Sequence, residues 1–415
     1  MMNSNIAAAK ALVDARVCQN TKSNYISKWH RMRNYLLSSN VEGALFDDTE
    51  ENLIQPLSTN ALESLFGWLS TNTALPKGVP SNIDEAAVID DEIEAEFAEN
   101  SITVSVSCMQ GYQSALKWYY EERRLSFDLE QQNTLKKLMQ GYKKKVADKK
   151  ERGVMDTKEG RSGLTFYGYK SIATRFLTTK HIGNQHSPTE GIFGWAFLVL
   201  SWNLMCRSIS CGSIMLQHLD WFNDHMNITF AKTKCDQCGE GTANTKAVFA
   251  NPLDPMVCPI LALAVFVVGT HRPHKELSQI FGEIRAEDRF SKLLRKTLHC
   301  FAQEGINIGS TLNDIGTHSN RKGSISYVLQ LCGVAAHQVY LRAGWSLGNT
   351  QNRYIVAGAG GDEMVGRAVT GLPITSKQFS ILPPHFTEAD KMEIDRNVQW
   401  DQIIDGNNFS RFSMK

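Results

Sequence analysis

The sequence predicts a mostly α-helical protein with one small β-hairpin or sheet, divided into a helical first half and an α+β second half. Three observations predict it. Apolar residues recur at helical spacing as far as Leu125. Two short runs rich in β-formers, "MNITFA" and "KAVFA", stand alone among helical patterns. Between the halves lies a lysine-rich, glycine-dotted stretch poor in apolar residues. The 415 residues suffice for two or three domains with sizeable cores.

The elements follow in order. In "NTKSNYISKWHRMRNYLL", Tyr25, Trp29, Met32 and Leu36 share one helical face, with Asn20 or Thr21 as the cap. Lys22, Lys28, Arg31 and Arg33 occupy the opposite face. "NALESLFGWLS" is a second amphipathic pattern. Residues 84–100 carry eight carboxylates and no basic residue. They follow the loop signals Pro76, Gly78 and Pro80 and read as partly disordered. A third helix runs through "VSCMQGYQSALKWYYEERRL", with Met109, Tyr112, Leu116 and Tyr119 on one side.

The divisions expected are a helical domain over 1–145, a basic linker over 146–163, a second domain over 164–375, and a tail over 376–415. The second domain opens with helices through Leu177 and again from Gly191. "GIFGWAFLVLSWNLMC" is short and broken by Ser201 and Asn203, so it reads as a buried helix rather than a membrane span. After the hairpin, helices are expected at 258–268, 290–304 and 319–332, the last stopped by Gly333. A capped helix from Thr387 to about Trp400 ends the pattern.

The net charge of +1 argues neither for nor against a nucleic-acid partner. It conceals a basic stretch from Lys136 to Arg161, with ten Lys/Arg against four Asp/Glu. The nine cysteines are scattered, and the first residues lack a secretory apolar core, so reduced thiols in an intracellular compartment are expected. The Cys235–Cys238 pair lacks the nearby second pair that a zinc site needs. With His225, Cys258 and Cys211 as remote candidates, no metal and no cofactor are expected.

Several polar residues of the second half have ordinary roles singly and a chemical one together. Arg207 follows the buried helix. Lys232 and Lys234 sit at the hairpin. His318 and Arg321 lie three apart in "THSNRKGS". Trp345 and Tyr354 lie nine apart in "RAGWSLGNTQNRYI". Arginine grips two phosphate oxygens through its planar fork, and two arginines balance the charge that spreads in phosphoryl transfer. A tyrosine hydroxyl, with a pKa of ~10, needs such surroundings to attack phosphorus. A lysine ammonium can protonate the leaving alkoxide. Hairpin register decides which lysine reaches inward, and Lys234, nearer the turn, is preferred.

This order resembles the tyrosine recombinases, whose catalytic domains run Arg, Lys, His-x-x-Arg, His or Trp, Tyr. The match is Arg207, Lys234, His318-Ser-Asn-Arg321, Trp345 and Tyr354, with the nine-residue final gap that the family uses. The likeness spans roughly 165–360, and the first half resembles the family's core-binding domain. "ANPLDPMVCPILALAVF", "LRAGWSLGNTQNRYI" and "GDEMVGRAVTGLP" look more narrowly like recombinases of Crypton-type DNA transposons.

The resemblance implies an α+β catalytic domain that breaks and rejoins DNA without metal, through a 3′-phosphotyrosine at Tyr354. Arg207 and Arg321 would clamp the phosphate, and His318 would assist. Trp345 would donate a hydrogen bond but could not move a proton. Lys22, Lys28, Arg31, Lys143, Lys144 and Lys145 are the expected contacts to double-stranded DNA. A tetramer on DNA, exchange of the 387–400 helix between protomers and a nuclear setting are also implied, with no membrane and no small-molecule substrate. Where the family carries Asp or Glu three residues after the first arginine, this chain has Ser210. That departure favours a second reading, a recombinase-derived DNA-binding protein with cleavage weakened or lost. Relaxation of supercoils in the manner of a type IB topoisomerase is a third.

Overall fold

A computed structural model of the chain describes residues 2–71, 103–157, 160–178, 188–222, 224–232, 245–270, 279–282, 285–345 and 361–374. The chain divides into two compact units, Met1–Glu159 and Gly160–Lys415. The architecture is mostly helical with one three-stranded antiparallel sheet, as the composition of the patterns predicts.

The first unit holds helices α1 (Met2–Ala15), α2 (Gln19–Ser38), α3 (Thr59–Thr71), α4 (Val106–Arg123) and α5 (Leu129–Glu151). The periodic faces of α2 and α4 meet. Trp29, Met32 and Leu36 are buried with Met109, Tyr112, Leu116 and Tyr119, and the Trp29 ring stacks on Tyr119 at 3.6 Å. Tyr119 and Tyr120 accept backbone N–H bonds from Leu53 and Leu57, so the aromatic core also fixes the 40–58 loop. The start of α2 differs from expectation. Cys18, not Asn20 or Thr21, holds the cap position, and its Sγ lies 3.0 Å from Thr21 Oγ1.

The larger difference is α5. Residues expected as a linker from 146 continue this helix to Glu151. Gln131, Leu135, Met139, Tyr142, Val146 and Lys149 form one buried face at helical spacing. Asp128 and Gln131 make a reciprocal cap, with Gln131 N donating to Asp128 Oδ1 at 2.8 Å and Asp128 N to Gln131 Oε1 at 3.0 Å. A stretch that reads as a basic tether by composition is thereby ordered against a core.

The second unit is built around α7 (Pro188–Asn203). Trp195 to Leu200 are all buried, so this helix is enclosed on every side. It packs against α6 (Phe166–Leu177), α9 (Pro259–Gly269) and α11 (Thr317–Leu331). The two polar residues that break its apolar run are bonded inside the core. Asn320 Nδ2 donates to Ser201 Oγ at 2.7 Å, and Thr370 Oγ1 to Asn203 Oδ1 at 2.7 Å. Among the described residues, no helix is long and apolar enough to cross a membrane.

After α8 (Ser208–Gly212) come β1 (Leu219–Phe222), β2 (His225–Thr229) and β3 (Thr245–Val248), in that spatial order. The expected hairpin is β2–β3, with Ile228 opposite Lys246; β1 adds a third strand. The remaining helices are α10 (Ala286–Gln303), α12 (Ala336–Arg342) and α13 (Asp362–Thr370). Gly333 lies just past α11 with φ of +67°, the left-handed turn that favours glycine. Residues 84–100 and 387–400 lie outside the described residues.

Candidate active site

Arg207 is placed by a sharp reversal. Helix α7 ends at Asn203, Met205 takes a left-handed φ of +48°, and Arg207 is extended at the cap of α8. A left-handed conformation is costly for a bulky residue, so the surrounding core must hold it. The cation therefore stands at the start of one helix and not at the end of another, where a dipole would favour it. Its side chain is half-buried.

Arg321 is placed by α11, and the residues around it explain the local sequence. Asn320 pins the helix to α7 through Leu198 O and Ser201 Oγ. Ser319 O accepts from Leu164 N at 2.9 Å. Gly323 lets Leu164 pass so closely that a Cβ there would lie 2.0 Å from Leu164 O. Arg321 itself is buried and donates to Ala343 O, with its guanidinium carbon 6.0 Å from the centre of the Trp345 ring. Trp345 is 41 % exposed and leans on Tyr340 at 5.3 Å.

Arg207 and Arg321, far apart in the chain, line one small cavity of about 30 Å³, together with Cys206, Ser210, Lys246 and Arg342. His318 is exposed at the first turn of α11 and lines a neighbouring cleft instead. Lys232 is exposed. Lys234, Tyr354, Cys235 and Cys238 lie outside the described residues. Among the described residues, no group of three or more His, Cys, Asp or Glu could hold a metal ion.

Lys246 is a site residue that the sequence reading missed. It is buried on β3, and its Nζ lies 3.4 Å from Leu341 O. Burial lowers its pKa from an ordinary 10.5 to about 8; Asp362 opposes that shift, while Arg342 and Arg321 add to it. The available signal was positional. Lys246 opens "KAVFA" beside buried Ala247 and Val248, and an inward lysine on a strand edge reads like an outward one.

Arg342 is the scaffold behind this cavity. Its Nε and Nη2 donate to Asn203 O, Nη2 also to Ala247 O, and Nη1 to the Asp362 carboxylate at 2.7 Å. Asp362 also accepts from Ala247 N at 2.7 Å. One fully buried guanidinium thus joins α7, β3, α12 and α13 with its charge paired.

The expected DNA-contact residues of α2 have partners in their own unit. Lys22 Nζ is 3.4 Å from Asp14, Lys28 Nζ is 5.0 Å above the Tyr112 ring, and Arg31 Nη1 donates to Tyr112 Oη at 3.0 Å. Lys143, Lys144 and Lys145 are exposed on α5.

No family model matches the chain, and no curated protein matches it. Among the solved structures similar to it, three share 12% identity with the chain. The XerH site-specific recombinase bound to difH substrate, in a pre-cleavage complex, has a TM-score of 0.37, covering 80% of this chain and 92% of that one. The post-cleavage complex of XerH on palindromic difH also has a TM-score of 0.37, covering 92% and 97%. An FLP recombinase–Holliday junction complex has a TM-score of 0.36, covering 71% and 75%. At these scores the superpositions are loose and do not assign the chain to a family.

Proposed function

We propose that the protein breaks and rejoins DNA strands through a covalent bond between Tyr354 and a DNA 3′ phosphate, as a tyrosine recombinase of the transposon-encoded, Crypton-like kind. The observation that carries the reading is the meeting of Arg207 and Arg321 at one cavity, in the chain order that the motif requires. Two guanidinium groups on one phosphate offset the charge of its equatorial oxygens as the transition state forms. The Tyr354 oxygen attacks phosphorus, its proton passes to a base or water, and the bond to the 5′ oxygen breaks. That oxygen takes a proton from a lysine. Rejoining reverses each transfer, and Trp345 contributes position alone.

Lys246 competes with Lys234 as the proton donor. It borders the cavity, and with a pKa of about 8 it is mostly protonated at neutral pH while releasing its proton readily. A substrate whose leaving oxygen is replaced by sulfur separates the two. A thiolate leaves without a proton, because its conjugate acid has a pKa of ~8.5. If Lys246 is the donor, Lys246→Ala slows cleavage of ordinary DNA by about a hundredfold or more and is restored by the sulfur substrate. If Lys234 is the donor, Lys234→Ala shows that pattern instead.

The covalent step is tested with a nicked duplex whose short cleaved fragment diffuses away. The wild-type protein becomes trapped on the DNA, and Tyr354→Phe binds but is not trapped. Trapping undiminished in Tyr354→Phe refutes the assigned nucleophile. A second reading, DNA binding with cleavage weakened or lost, draws on Ser210. It borders the cavity where the motif has a carboxylate, and among the described residues no carboxylate lines the cavity. Absence of trapping by the wild-type protein on every nicked duplex that it binds supports that reading.

A further inference from the structure

A second cleft, of about 590 Å³, opens on the other side of the first turn of α11. Its walls come from α10, the 312–316 segment and the start of α11, and four basic side chains face it: Arg161, Arg295, His299 and His318. Among the described residues, no carboxylate lines it. Arg161 is anchored at the rim by a bond from Nη1 to Asn313 O, while its own carbonyl accepts from Lys322 Nζ at 2.7 Å. Arg295 and His299 lie one turn apart on α10 and are both exposed. Arg295 donates Nε to Ser291 O at 3.4 Å, and neither residue has an ion-pair partner among the described residues. The N-terminal end of the 15-residue α11, with its partial positive charge, contributes Gly316 and Thr317 to the same cleft.

Arg161, Arg295, His299 and His318 thus converge on one cleft from three chain segments. They suit a singly charged, oxygen-rich ligand held by forked and directional donors. The cleft is also close to the proposed reaction centre along one helix. His318 and Arg321 are separated by three residues, about 4.5 Å of helical rise. Phosphates of one DNA strand recur at about 3.4 Å of duplex axis. A strand that presents one phosphate to Arg321 carries neighbouring phosphates at a spacing comparable to the rise from Arg321 to His318 at the edge of the cleft.

We propose that the α10–α11 cleft binds a single backbone phosphodiester of the cleaved strand, beside the scissile phosphate, with Arg295 and His299 as its principal ligands. This rests on the recombinase reading for the identity of the strand. It adds a second fixed point, so the strand is held at Arg321 and again on one side of it, and its register at the cut is set by phosphate spacing, not base identity.

The test replaces the phosphates flanking the cut with uncharged methylphosphonates, one per duplex, and measures affinity for the full-length protein and for Arg295→Ala/His299→Ala. Both residues are exposed, and an unchanged melting temperature verifies the fold. The expected result is one flanking position where neutralisation weakens wild-type binding about tenfold and the double variant no further. The salt slope of that variant should also fall by about 1. If every flanking methylphosphonate weakens the variant as much as the wild type, the cleft is not a phosphate site. Trapping of the wild-type protein on the nicked duplex is scored separately. Trapping without the coupling overturns the cleft and leaves the recombinase reading intact; coupling without trapping supports the cleft in a protein that binds DNA and does not cut it.

Discussion

Lys246 shows how one residue can be costly to the fold and still line the cavity of the two arginines. Its ammonium is buried, and its pKa is lowered from 10.5 to about 8, first by that burial. Between these two values the unfolded chain holds a proton that the folded chain has released, so stability rises with pH across that window. Below about pH 8 both states are protonated and the full cost of the buried charge applies. The size is on the order of 3 kcal/mol, from about 1.4 kcal/mol for each tenfold step in the equilibrium. Chemical denaturation of the wild type from pH 7 to 10.5 should show this rise, and Lys246→Met should lack it. Equal pH dependence in the two proteins would mean that Lys246 reaches water. The retained cost is itself an argument for function, because a methionine of similar length would fill the same space without it.

At the scale of elements, the sequence was legible wherever one face of a helix did one thing. Trp29, Met32 and Leu36 on α2, and Met109, Tyr112, Leu116 and Tyr119 on α4, repeat at helical spacing, and all are buried. Helix α5 was lost because its lysines dominate the composition, although Leu135, Met139, Tyr142 and Val146 carry the same spacing. Strand β1 was lost because its four residues alternate in burial and offer too short a window. Motif spacing pairs Arg207 with Arg321, and the two line one cavity. Lys246 was not legible from spacing, because its inward direction depends on pairing with Ile228 across the strands. Arg342 escaped notice because three separate elements, α7, β3 and α13, supply its partners.

Gly323 is the element-scale hinge of the site. Any side chain there meets the Leu164 backbone carbonyl, so α11 must move away from the segment that precedes α6. Gly323→Ala is expected to lower stability by about 1–3 kcal/mol, the usual cost of overpacking. It should also reduce trapping on nicked DNA more than binding, since Arg321 lies two residues away on the same turn of α11. Urea titration gives the first quantity, and the ratio of trapped to bound DNA gives the second. A variant with normal stability would show that the Leu164 segment yields freely.

For the molecule as a whole, the near-neutral total charge matters less than where charge is fixed. Had residues 143–145 belonged to a tether, their lysines would lack a set position. They lie instead on α5, whose opposite face holds Tyr142 and Val146 in the first unit's core. Lys136, Lys137, Lys143, Lys144 and Lys145 are therefore exposed in a fixed array. Such an array neutralises phosphates without reading bases, and each phosphate released from its counterions contributes about 0.9 to the salt slope. Reversing Lys143, Lys144 and Lys145 to glutamate leaves the buried face of α5 intact, so folding should survive. Affinity for unrelated duplexes should fall by the same factor, and the slope of log affinity against log salt should flatten by about 2 to 3. Unequal losses between sequences would assign these lysines to base recognition. No loss at all would leave α5 as a solvated helix and would assign any contact with DNA to another face.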